Sequence, residues 1–126
     1  MQAVSRRAVM MTAAALFAAL RAPAALAHHG WRWTEDGNFE LTGVIVAARL
    51  GNPHGLLTVD ADGEIWTVEV GQPWRNERAG LSDDMLVNGV EVVVSGQRSA
   101  DPDEKRMKAE RVYIDGKLHD LYPDRD

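Results

Sequence analysis

The 126-residue sequence predicts an all-β fold, a five-stranded Greek-key barrel with one short helix between the third and fourth strands. Three observations predict it. From Leu41 onward, apolar residues recur at every second position in runs rich in Val, Ile and Thr, the period of a half-buried strand. Clusters of Gly, Asn, Asp and Pro separate those runs and supply turns. One segment, opening at Pro73 and stopping at Gly80, carries helix boundary residues instead.

Leu41 to Leu50 reads as a long first strand ending at Gly51-Asn52-Pro53, with Gly43 expected to mark a bulge where the strand bends. Leu56 to Asp60 is the second strand, and Asp60-Ala61-Asp62-Gly63 is a turn by composition. In the third, Glu64 to Val70, the residues Trp66, Val68 and Val70 share a face. The helix Pro73 to Gly80 is expected to plug one end of the barrel, with Trp74 and Leu81 turned toward it. Ser82 is placed to cap a further helical turn at Asp83-Asp84-Met85. Asn88-Gly89 turns the chain into the fourth strand, Val90 to Ser95, with Val90, Val92 and Val94 on one face. Gln97 to Lys105 is a polar loop, and Met107 to Asp115 is the last strand. Three strands, a helix and two strands is the order of the oligonucleotide/oligosaccharide-binding (OB) fold. An immunoglobulin-like sandwich would need about seven strands. The barrel domain is bounded at 40–118, with an arm at 28–39 before it and a charged tail of low ordering tendency at 119–126.

Charge separates the first 27 residues from the rest. They hold Arg6, Arg7 and Arg21 and no acid, so removing them takes the formal net charge from −5 to −8. The basic start, the uncharged run Ala8 to Leu20 and the small-residue site Ala25-Leu26-Ala27 are the three parts of a signal peptide. Paired arginines after Ser5 resemble a twin-arginine signal, and the general secretory route uses the same three parts. The apolar run is shorter than the ~20 residues of a membrane span. A periplasmic protein cut after Ala27, with no transmembrane segment in the mature chain, is therefore expected. Its acidic balance argues against a nucleic-acid partner, whose phosphates need Lys and Arg. With no cysteine, the domain must be held by its core and hydrogen bonds.

His28-His29-Gly30-Trp31, Leu41-Thr42-Gly43-Val44, Asn52-Pro53-His54, the stretch Asp62 to Glu69 and the stretch Leu86 to Val92 together resemble the small exported bacterial proteins grouped as DUF6152. The most specific elements are the His pair after the signal, the Asn-Pro-His turn and Trp66-Thr67-Val68-Glu69. Leu50 departs from the family, which tends to carry an aromatic residue before Asn-Pro-His. The resemblance implies compartment and fold; the family has no assigned activity.

The candidate chemistry lies in the histidines. Cleavage after Ala27 would give His28 a free amine beside its ring, and an imidazole from His54 would complete a T-shaped nitrogen set suited to copper. A second set uses the amine with the backbone nitrogen and ring of His29. Zinc is less suited, because the chain lacks cysteines and a second close His pair. Met85 and Met107 read as core filling rather than soft ligands. Trp66 reads as interior packing, and Trp31 with Trp33 as an exposed arm. Ser82, Ser95 and Ser99 lie in no nucleophile-elbow sequence, and Glu64 and Glu69 fall on opposite faces of their strand, so no enzyme is expected. The expected function is a periplasmic binding protein taking copper through His28, His29 and His54. The alternative is a metal-free interaction module that docks on an envelope protein through the barrel face or the Trp31/Trp33 arm, with His28 and His29 solvated and His54 bonded to a turn carbonyl.

Overall fold

The computed structural model describes residues 30–125. The leader, its cut after Ala27, and His28 and His29 lie outside the described residues. The barrel unit begins at Trp33. Its strands are β1 (Phe39–Arg49), β2 (Leu56–Ala61), β3 (Glu64–Glu69), β4 (Glu91–Arg98), β5 (Arg106–Ile114) and β6 (Lys117–Asp120). Helix α1 (Pro73–Arg78) and a 3-10 turn (Asp83–Met85) lie between β3 and β4.

The first half of β1 pairs with β4, from Phe39 to Val44, and its second half pairs with β2, from Val44 to Arg49. One strand thereby serves both sides of the barrel. β4 pairs antiparallel with β5, and a parallel contact of Thr67, Val68 and Glu69 with Arg106, Met107 and Lys108 closes the ring of five strands. The result is the expected OB-like Greek-key barrel. The β1 bulge falls between Ile45 and Ala47, not at Gly43. Gly43 has a different cause: a Cβ there would stand 2.5 Å from the Asp60 carbonyl oxygen and 2.7 Å from Val59 Cγ1, so β1 and β2 cross too closely for a side chain.

The period-two residues make the core. Ile45, Leu57, Val59, Val68, Val94, Met107 and Val112 are fully buried, with Trp66 beside them, and Met85 packs against their edge. Burial of each large aliphatic side chain contributes about 1.5–3 kcal/mol before entropy is counted.

Four expectations need correction. The charged tail is not loose: Asp115 and Gly116, both at positive φ, form a two-residue hairpin turn into β6, and His119 and Leu121 are buried. Trp74 does not face the barrel; it is 53% exposed, and Asn76 is the buried residue of α1. Trp33 is half-buried with the Arg106 guanidinium 3.9 Å from its ring, and Thr34 bridges to Ser99, so these arm residues lie against the barrel. The Ser82 hydroxyl bonds the Asp84 carboxylate rather than a backbone N–H of the turn it precedes. Among the described residues no helix is long and apolar enough to cross a membrane.

Candidate functional site: the cleft beside the β1–β2 loop

Leu50 to Gly55 joins β1 to β2, and the Asn52–Pro53 peptide bond within it is cis. The loop is held at its far end by backbone bonds: Gly55 N–H donates to the Gly71 carbonyl at 3.1 Å, and Val70 N–H donates to the Gly55 carbonyl at 2.9 Å. Gly71 is fixed in turn by Asn76, whose Oδ1 accepts the Gly71 N–H at 2.9 Å and whose Nδ2 donates to the Gly71 carbonyl at 3.0 Å. Helix α1 thus positions the residue next to His54 through one buried amide.

A cleft of about 470 Å³ opens here, lined by Arg49, Leu50, Asn52, Pro53, His54 and Leu56 from the loop and its flanks, with Glu69 and Arg106 behind them. Its size is that of a small-ligand site. His54 is partly buried, and its Nδ1 is shielded from solvent without a hydrogen-bond partner. The carbonyl bond expected for a purely structural turn histidine is therefore not made at this nitrogen. Leaving such an atom unpaired costs about 1–3 kcal/mol.

The charges around it are unequal. Glu69 is buried, with Lys108 Nζ at 3.0 Å and an Arg106 guanidinium nitrogen at 3.6 Å. Arg106 also reaches Glu104 at 4.0 Å. Arg49 is exposed and forms no ion pair among the described residues. The lining thus includes one unmatched guanidinium and one imidazole, on a chain whose net charge is −5.

The remaining histidine is structural. His119 is buried, with Nδ1 3.0 Å from the Ala79 carbonyl oxygen at the end of α1. Met107 is fully buried in the core. Among the described residues no group of three or more His, Cys, Asp and Glu side chains comes together to hold a metal. Only His54, of the three expected copper ligands, falls within the described residues. Arg49, Glu69 and Arg106 were not anticipated as site residues: Arg49 and Glu69 flank Leu56 through the β1–β2 and β2–β3 pairings, whereas Arg106 joins them only through the parallel β3–β5 closure, which no spacing along the chain encodes.

The family of unknown function DUF6152 matches residues 16–108, and the chain belongs to it. A comparison with curated proteins finds no match. Among solved structures, the chain is similar to one in the S. pombe Stn1-Ten1 complex, at 21% identity and a TM-score of 0.47, over 61% of this chain and 57% of that one. It is also similar to the ZRD-deleted mutant of TiaS in complex with agmatine, at 15% identity and a TM-score of 0.49, over 67% of this chain and 26% of that one. The chain spans well under two thirds of either of these structures.

Proposed function

We propose that the protein is an exported periplasmic binding module whose recognition site is the cleft beside the β1–β2 loop. The observation that carries this reading is a ligand-sized cleft lined by His54 and by Arg49, which forms no ion pair among the described residues. The fold supports the same location, since OB-type barrels commonly recognise ligands with this loop, although fold alone assigns no ligand. Export rests on the leader read from the sequence.

Copper is the specific ligand of this reading, taken by the His28 amine and ring with His54, or by the amine with the backbone nitrogen and ring of His29. Both sets need the amine freed by cleavage after Ala27. Arg49, without an ion pair, lines the cleft with His54, and its charge works against a dication there. That repulsion favours the set completed by His29.

Equilibrium dialysis of the mature periplasmic protein against Cu(II), after intact mass has established His28 as its first residue, tests the copper assignment. A form with one extra residue before His28 is expected to bind at least tenfold more weakly. Retained binding in His54→Ala assigns the His29 set, and its loss assigns the His54 set. Equal, tight binding by the extended form rules out the amine chelate.

A metal-free interaction module is the second reading. It is favoured by Trp74, 53% exposed on α1 with the Arg75 and Arg78 guanidinium groups 4.5 and 5.3 Å from its ring. An exposed aromatic flanked by arginines is the composition of an interface centre. Failure of the mature form to bind Cu(II) promotes this reading.

A further inference from the structure

We infer that the cleft formed by Arg49, His54 and the apolar side chains of Leu50, Pro53 and Leu56 binds a small organic carboxylate, an anion carrying an apolar group. The inference rests on the cleft being the recognition site and names its ligand class; it does not require copper.

Charge selects an anion. Arg106 in the lining is already matched by Glu69 and Glu104, and Glu69 is matched again by Lys108. Arg49 is left as the one guanidinium in the lining without a carboxylate. Its planar fork accepts a carboxylate through two parallel hydrogen bonds, a geometry that also gives direction. The His54 ring lines the same cleft and reports on its occupancy.

One unmatched charge fixes the ligand's charge as well. A carboxylate balances a single guanidinium. A phosphate dianion leaves excess negative charge on a chain that is already acidic, and a polyanion leaves far more. The apolar side of the cleft selects the rest of the molecule. Leu50 and Leu56 are each partly buried, and contact with an apolar group removes their remaining surface from water. The volume of about 470 Å³ holds a ring or a short branched chain beside the carboxylate.

The probe is benzoate, titrated into the mature protein in EDTA while amide and histidine-ring NMR shifts are followed. Benzyl alcohol serves as the uncharged analogue and inorganic phosphate as the anion without an apolar group. Benzoate is expected to give saturable shifts at Leu50, His54 and Leu56, with at least tenfold weaker responses to benzyl alcohol and to phosphate. Arg49→Gln, at an exposed position without an ion pair, is expected to keep the amide spectrum of the fold and to weaken benzoate at least tenfold. Benzoate no tighter than benzyl alcohol, phosphate tighter than benzoate, or benzoate unchanged in Arg49→Gln each overturns the assignment. If Cu(II) shifts the His54 ring while benzoate does not, the cleft remains the recognition site and the carboxylate assignment falls. If neither probe moves His54, both fall together.

Discussion

Asn76 closes a two-point hydrogen bond on the backbone of Gly71, accepting its N–H at 2.9 Å and donating to its carbonyl at 3.0 Å. The same carbonyl accepts the Gly55 N–H, the residue after His54. One amide therefore joins the helix, the end of β3 and the candidate loop. Asn76→Ala leaves the buried Gly71 N–H unpaired and its carbonyl with the Gly55 N–H alone, and a loss of about 1–3 kcal/mol in urea unfolding is expected. In the folded fraction the His54 ring resonances shift, because the loop loses its anchor. An unchanged stability and an unchanged His54 signal would contradict this linkage.

Leu121 follows β6 and is fully buried, its N–H donating to the Glu110 carbonyl at 2.9 Å and its carbonyl accepting from Arg75 at 3.0 Å. Leu121→Ala is expected to cost about 2–5 kcal/mol, the range for emptying a leucine site in a packed core. Measurement is again by urea midpoint. A tail of low order would tolerate the change within about 0.5 kcal/mol.

The β6 segment also shows where sequence reading stops. Trp66, Val68 and Val70 alternate with more polar neighbours, and β3 was legible from that alone. In Lys117-Leu118-His119-Asp120 the alternation runs the other way: Leu118 is 46% exposed and His119 is buried at 1% exposure. Hydrophobicity therefore points outward, and the segment reads as tail. His119 is inside because the Ala79 carbonyl at the end of α1 needs a partner, a tertiary demand invisible along the chain. Trp74 and Asn76 exchange roles for a similar reason, since the Gly71 clamp decides which face of α1 turns inward. At the site, His54 was legible as a turn histidine after Asn-Pro, whereas Arg106 reaches Glu69 only when β3 and β5 close the barrel.

His119→Ala is expected to lower stability by about 1–3 kcal/mol, since the Ala79 carbonyl loses its side-chain partner. The variant is expected to bind Cu(II) as the parent does. A loss of copper with stability retained would reassign His119 from structure to ligand.

Tyr122 sets an alkaline limit. Burial is the largest influence on its hydroxyl and holds the pKa above the ordinary value of 10.0; nearby Arg75 opposes the shift and Glu69 adds to it. In the unfolded chain the phenol loses its proton near pH 10, whereas the folded chain keeps it to higher pH. Above pH 10 the unfolded state therefore binds fewer protons, and stability falls as pH rises. Below that, both states are protonated and the contribution is fully present. Urea midpoints at pH 8, 10 and 11 are expected to decline above pH 10 in the parent and less steeply in Tyr122→Phe. Parallel declines would place the alkaline sensitivity elsewhere.

The most direct test of recognition at the β1–β2 cleft is the histidine-ring 15N spectrum of the mature protein, recorded while Cu(II) and benzoate are added in separate titrations. The account predicts that at least one of them moves the Nδ1 resonance of His54 while that of His119 stays fixed by its bond to Ala79. A His54 signal that ignores both, or one that moves only in step with His119, would contradict it.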